Sequence, residues 1–242
     1  MALGMFTTIP LRFNSWDDDG AKHMLVFYPL IGFIIGLIWY GGYSILHVLN
    51  LPVMIFTFFM MIFPYLITGL LHLDGYMDVH DAILSRRDRE EKLRILKDSH
   101  TGAFSVIAVS LLLIFNFASM NTLLSENKMS LLLIFIPMLS RSFIVLAMVF
   151  LKTLPQSSSM AYFKKHIEKV DKGLLIGLFL ITLGIYFYIL NISGLICAGG
   201  MILCTSIVVY KAVKDLGGMS GDIAGYGLVI CEAIGILMMA LV

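Results

Sequence analysis

Residues 72 to 81 read His72-Leu73-Asp74-Gly75-Tyr76-Met77-Asp78-Val79-His80-Asp81, directly behind a long apolar run. On a helix Asp74, Asp78 and Asp81 stand at i, i+4 and i+7, inside an arc of about 60° at 3.6 residues per turn. Carboxylates at membrane depth cost a few kcal/mol each unless they are neutralised or paired. Three on one stripe ask for a shared partner, and the simplest is a divalent cation. Hard oxygen ligands with no accompanying thiolate suit Mg²⁺ or Mn²⁺ rather than zinc. A solvated helix end accounts for one such acid. It does not account for three beside Gly75, which lets another chain segment or a ligand come close. His72 and His80 flank the stripe, and His80 lies about 100° away from it. Both read as structural or supporting residues.

Behind the aspartates runs Arg86-Arg87-Asp88-Arg89-Glu90-Glu91-Lys92-Leu93-Arg94-Ile95-Leu96, then Lys97-Asp98-Ser99-His100-Thr101-Gly102. Glu90 and Arg94 stand at i, i+4, and with Leu93, Leu96 and Lys97 they suggest an amphipathic helix on the membrane surface. Its basic residues individually read as a solvated, topology-setting face. The Lys97–Gly102 cluster reads instead as a ligand-binding turn, in which backbone N–H groups and lysine meet phosphate. Gly217-Gly218-Met219-Ser220-Gly221-Asp222 places a further acid in a glycine-rich turn, which by itself is a flexible loop. Glu232 and Arg141 each fall inside apolar runs and need partners. Arg141 can meet an acid of the site, a ligand phosphate or a purely structural partner on another helix.

The elements that must carry these residues follow from composition. The chain has 242 residues, 59% apolar and 14% charged, with a net charge of +1 and a mean hydropathy of +0.93. A soluble domain is nearer 45–50% apolar and about 25% charged. The chain is therefore expected to be an all-α integral membrane protein forming one polytopic domain over 1–242. Seven stretches approach the ~20 residues that cross the hydrocarbon: 24–48, 51–71, 103–124, 130–151, 173–191, 193–210 and 224–242. Cys197, Cys204 and Cys231 lie in apolar runs without metal-like spacing and read as core residues. Met1 to Pro10 lacks the basic start and cleavage site of a signal peptide. Phe6, Ile9, Leu11, Phe13 and Trp16 suggest a segment lying at the interface.

Lys and Arg alternate with this parsing. Basic residues collect before the first span (Arg12, Lys22), in 72–102 (Arg86 to Lys97), in 152–172 and in 211–223 (Lys211, Lys214), while the intervening connections carry only Lys128. By the positive-inside rule those four segments are cytoplasmic and the C-terminus is outside. The aspartates, the basic run and the glycine-rich turn then share the cytoplasmic face. Two classes of function survive. An enzyme would hold metal against a phosphorylated substrate there, whereas a transporter would need acids spread across the bilayer. Only Glu232 and Arg141 serve the second.

The stretch Ile67-Thr68-Gly69-Leu70-Leu71-His72-Leu73-Asp74-Gly75-Tyr76-Met77-Asp78-Val79-His80-Asp81 resembles the signature of the cobalamin synthase family, roughly T-G-G-x-H-x-D-G-x-x-D-x-x-D followed by K-D-S-x-x-G. Phe6–Pro10, Tyr28–Gly32, Leu139-Ser140-Arg141 and Gly217–Asp222 are similar to further family motifs, in the family's order along the whole chain. The departures are a leucine for the second glycine of the T-G-G run, Ala82 for a frequent glycine, and Val229 where an additional acid is common.

The resemblance implies an adenosylcobinamide-GDP ribazoletransferase. In that reaction a ribose hydroxyl of α-ribazole, or of its 5′-phosphate, attacks the cobinamide-linked phosphorus of adenosylcobinamide-GDP and GMP leaves. Mg²⁺ is the implied cofactor. Asp74 and Asp78 would ligate it, with Asp98 or Asp222 completing the shell. Asp81 would take the hydroxyl proton or serve as a further ligand. Lys97 and Arg141 would contact phosphates, and Ser99, Gly102 and Gly221 would line the substrate. The implied partners are the two substrates and the bilayer of the cell membrane, without nucleic acid; a second copy of the chain is left open. The alternatives are a CDP-alcohol phosphotransferase, whose aspartate pattern differs (glycine directly follows the first aspartate here), and a proton-coupled transporter.

Overall fold

The computed structural model describes residues 1–10 and 18–242. Among the described residues the regular structure is helical, apart from an isolated bridge between Thr153 and Met219. The helices are α1 (Ala2–Phe6), α2 (Asp18–Lys22), α3 (Tyr28–Val48), α4 (Val53–Ile67), α5 (Leu71–Leu84) and α6 (Arg89–Ile95). They continue with α7 (Ala103–Ser125), α8 (Leu132–Phe150), α9 (Ser158–His166), α10 (Lys169–Leu216) and α11 (Gly221–Leu241). Arg12 and the interfacial candidates Leu11, Phe13 and Trp16 lie outside the described residues. Phe6 is half-buried, its ring 4.7 Å from that of Tyr28.

Among the described residues, five helical stretches are long and apolar enough to cross a membrane, and a sixth results if α4 and α5 are one bent span. The 48-residue α10 departs from helical backbone at Leu190 and Asn191, where Asn191 adopts φ 53°. The chain folds back there: Tyr186 Oη donates to Met201 Sδ at 3.5 Å, and a Cβ on Gly194 would collide with the Tyr186 carbonyl. Its two limbs, 169–189 and 192–216, are therefore antiparallel.

The second apolar run behaves differently from the expectation of one span over 51–71. It stops at Ile67, and α5 leaves at 91° to α4. Gly69 and Leu70 both take left-handed backbone, φ 60° and 63°. The leucine for glycine in the T-G-G run, expected at Leu71, falls at Leu70, which follows Gly69 directly, so the turn keeps its geometry at the cost of a strained side-chain position. Thr8 secures the exposed carbonyls at the end of α4. Its N–H donates to Ile67 O at 2.8 Å and its hydroxyl lies 3.1 Å from Leu66 O.

Together α4 and α5 follow α7 from end to end. Thr57 contacts Asn121, Tyr65 contacts Asn116, Tyr76 donates to Ala108 O, and Asp81 reaches Gly102 and Ser105. The aspartate helix is thus packed among the others rather than trailing into a loop. α6 docks on the C-terminal end of α10. Arg89 donates to Lys214 O at 2.9 Å and Lys92 pairs with Asp215 at 3.1 Å, placing cations against a helix C-terminus. Arg94 pairs with Glu91 at i, i+3 (2.7 Å) rather than with Glu90. Asp88 caps this short helix, and Glu91 sits in its first turn facing Arg94.

α11 is the central element and packs against α5, α7, α8 and α10. α3 meets α8 through Gly32 and Gly36, where any Cβ would strike the carbonyls of Pro137 and Ile134. The buried side chains divide into two layers. One contains Ile35, Ile144 and Ala233; the other contains Trp39, Leu139 and Cys231. Arg141 and Glu232 sit at the seam between them.

Candidate active site

Asp74, Asp78 and Asp81 leave α5 on one side, but burial separates them: Asp74 is exposed, Asp78 half-buried and Asp81 buried. The fourth acid arrives from α11. Gly75 lies so close to this helix that a Cβ there would come within 2.8 Å of Asp222 O, and one on Gly225 within 3.1 Å of His72 O. Two glycines facing each other's helices let the backbones touch, and this contact brings Asp222 beside the aspartate stripe. Ser220 starts α11 by accepting from Ile223 N at 3.3 Å, which holds Asp222 in the first turn. Asp74, Asp222 and Asp81 all repel the Asp78 carboxylate, and Asp222 also feels Asp74.

Among the described residues, no Lys, Arg or His pairs with Asp74, Asp78 or Asp222. The segment that approaches Gly75 is therefore another acid-bearing helix, which adds negative charge. Replacing Gly75 with alanine is expected to push α11 away and lower thermal stability by about 1–3 kcal/mol, as overpacking does. A Gly75→Ala protein that melts with the wild type would show that the contact is not tight.

Asp81 has a different task from the one expected of it. Its Oδ2 accepts from Gly102 N at 2.6 Å and its Oδ1 from Ser105 N at 3.0 Å. Gly102 is the N-cap residue of α7 and has no side chain to cap with, so Asp81 caps that helix from α5. A Cβ on Gly102 would come within 2.5 Å of the carboxylate. With each oxygen accepting one N–H, Asp81 anchors α5 to the start of α7. Gly102 has no free N–H for a phosphate.

The Lys97–Gly102 turn meets the stripe at its last residue, where Gly102 N–H bonds Asp81. Lys97 lines a separate open hollow of about 440 Å³ with Glu90, Arg94 and Gln156. Asp98 Oδ1 accepts from the His100 ring at 2.6 Å and its backbone N–H at 3.0 Å. The ring hydrogen bond from His100 holds the Asp98 carboxyl below the usual carboxylate range. Ser99 is exposed. The structure brings none of Lys97, Asp98 and Ser99 to the aspartates.

Arg141 also has its partner. Its Nη1 donates to Glu232 Oε1 at 2.5 Å and to Pro137 O at 3.1 Å, and Ser140 donates to the same carboxylate oxygen at 3.1 Å. The structural pairing between helices is the one realised, and it engages Nη1 while Arg141 Nε is buried without a partner. The guanidinium carbon also lies 5.7 Å from the centroid of the Tyr28 ring, and Tyr28 Oη meets His72 Nε2 at 2.8 Å. A buried polar chain therefore runs from Glu232 to the first turn of the aspartate helix.

Between these groups is a pocket of about 270 Å³. Asp74, Asp222 and Gly221 border it, Tyr28 and His72 form a polar wall, and Phe6, Leu25, Met148, Met160 and Phe163 supply apolar surface. Gly221, expected at the substrate, is present with open space around it. Sequence reasoning missed the apolar wall. Its signal was faint: Met160 and Phe163 at i, i+3 within the basic segment 152–172.

The acids suit Mg²⁺ by donor type. Among the described residues, no three His, Cys, Asp or Glu side chains stand close enough to hold a metal by themselves.

The model of the cobalamin-5-phosphate synthase family matches residues 1–240. A protein of Clostridium perfringens (strain SM101 / Type A) is 48% identical over 242 residues, covering 100% of this chain and 96% of that protein. One of Clostridium botulinum (strain Alaska E43 / Type E3) is 43% identical, covering 98% and 94%. One of Halalkalibacterium halodurans is 32% identical, covering 93% and 88%. All three are named adenosylcobinamide-GDP ribazoletransferase. No solved structure matches. The chain belongs to the cobalamin-5-phosphate synthase family.

Proposed function

We propose that this chain is an adenosylcobinamide-GDP ribazoletransferase working at the cytoplasmic face of the cell membrane. It joins adenosylcobinamide-GDP and α-ribazole, or its 5′-phosphate, to give adenosylcobalamin (or its phosphate) and GMP. One observation carries the reading at the level of the site. A member of the family gathers Asp74, Asp78 and Asp222 from two helices with no basic partner for any of them among the described residues. The transporter reading loses its two carriers, because Arg141 and Glu232 are bonded to each other.

In the transfer, the oxygen of a ribose hydroxyl bonds to the cobinamide-linked phosphorus, and the bond from that phosphorus to the GMP oxygen breaks. Such a displacement depends mainly on positioning and charge neutralisation. Mg²⁺, when bound, supplies neutralisation of the pyrophosphate oxygens. Asp74 and Asp222, which border the pocket, would hold it together with substrate phosphate oxygens. The Gly75–Gly225 contact sets their spacing, and the Asp81 cap fixes α5 against α7. With Asp81 engaged, Asp78 is the half-buried carboxylate placed to accept the hydroxyl proton.

The test is GMP release from adenosylcobinamide-GDP by membranes carrying the protein. Release that requires both α-ribazole and Mg²⁺ is the expected result. Release without α-ribazole would overturn the substrate assignment, and full activity in chelator would overturn the metal.

A further inference from the structure

We propose that the 270 Å³ pocket beside the acids is the subsite for the base of α-ribazole, holding the nucleophilic substrate by its flat, apolar end. This rests on the transferase reading and adds to it which substrate occupies the cavity.

Size is the first argument. Pockets for drug-sized ligands run to about 300–1,000 Å³. This one admits a bicyclic ring and is far too small for a corrin macrocycle. Polarity is the second. The choice of planar groups lies between the guanine of adenosylcobinamide-GDP and the benzimidazole-type base of α-ribazole. Guanine carries several donors and acceptors along its edge, and burying them without partners costs about 1–3 kcal/mol each. Inside the wall Tyr28 Oη is already bonded to His72 Nε2, and one buried polar atom, His72 Nδ1, stands without a partner; Ser159 and the Asp74 and Asp222 carboxylates lie at the border. The benzimidazole ring of α-ribazole has a single unshared ring nitrogen and otherwise presents hydrocarbon.

The shape of the wall is the third argument. Phe6 and Tyr28 lie 4.7 Å apart with planes tilted by 57°, and Tyr28 stands 6.3 Å from the His72 ring. Facing them, Met148, Met160 and Phe163 offer polarisable sulfur and another ring, a lining suited to a flat aromatic. Position is the fourth. The acids border the same cavity, so a base seated inside directs its ribose toward Asp74 and Asp222, where the hydroxyl is needed.

The test separates the two substrates. Ser159 is exposed at the rim, so Ser159→Trp obstructs the cavity without disturbing a packed residue. Phe6→Ala instead removes part of the wall. Each is expected to raise KM for α-ribazole about tenfold or more while leaving KM for adenosylcobinamide-GDP within about twofold. Free 5,6-dimethylbenzimidazole should compete with α-ribazole in the wild type, and its equilibrium binding should be lost in Ser159→Trp. A rise in KM for adenosylcobinamide-GDP instead, or unchanged constants for both substrates, would overturn the assignment. Binding of 5,6-dimethylbenzimidazole that survives Ser159→Trp would overturn it equally. The transferase reading fails separately, if the wild type releases no GMP in response to α-ribazole.

Discussion

Asp78→Asn is expected to lower α-ribazole-dependent GMP release by about a hundredfold to a thousandfold, while the protein inserts and melts like the wild type. The magnitude is that of losing one preorganised electrostatic group at a site of developing charge. The direction of the stability effect follows from the geometry. Burial disfavours the Asp78 charge and Asp74, Asp222 and Asp81 all repel it, so removing that charge does not destabilise the fold. Asp74→Asn and Asp222→Asn should share the phenotype. Asp81→Asn should differ, because its carboxylate caps α7 through Gly102 and Ser105. It should lose thermal stability first and activity only in proportion. Steady-state kinetics beside melting curves, with Mg²⁺ varied, separates the two patterns. Near-full activity of Asp78→Asn at ordinary Mg²⁺ would remove that residue from the site.

The largest stability effect belongs to the Arg141–Glu232 pair. Arg141→Met leaves the Glu232 carboxylate among apolar neighbours at the seam between the two core layers, with Ser140 its remaining donor. Breaking a buried pair from one side costs about 3–5 kcal/mol. The double variant Arg141→Met with Glu232→Met should recover much of that loss, since replacing both charges with hydrocarbon of similar volume is often near neutral. Melting temperatures of the two single variants and the double variant in detergent test this. A double variant no more stable than the sum of the singles would mean that the charges do not act as a pair. Arg141 also stands beside Tyr28, which bonds to His72. The single variant should therefore loosen the wall of the pocket as well as the seam.

Much of this was legible in the chain itself. Hydropathy carries membrane class because the bilayer imposes it locally, span by span. The i, i+4, i+7 spacing of Asp74, Asp78 and Asp81 puts them on one side of a helix wherever that helix lies. The break after Ile67 was harder to see. Hydropathy continues smoothly through Thr68–Leu71, and the leucine at 70 hides a backbone turn that glycine would have advertised.

The division of labour among the polar residues came only from contacts between distant segments. Asp222 joins the stripe because two glycines, Gly75 and Gly225, let α5 and α11 touch, and neither glycine has a periodic signature. Asp81 leaves the stripe because Gly102 gives α7 no cap of its own. Arg141 meets Glu232 because α8 and α11 cross at that depth. Lys97 and Asp98 are near the aspartates in sequence, yet α6 docks on α10 and carries them away. The sequence alone determined that the chain belongs in a membrane and that Asp74, Asp78 and Asp81 share one side of a helix, since composition and helical period decide both. Tertiary structure alone decided which acids stand without a basic or backbone partner among the described residues, because that depends on which N–H or guanidinium the fold brings to each carboxylate.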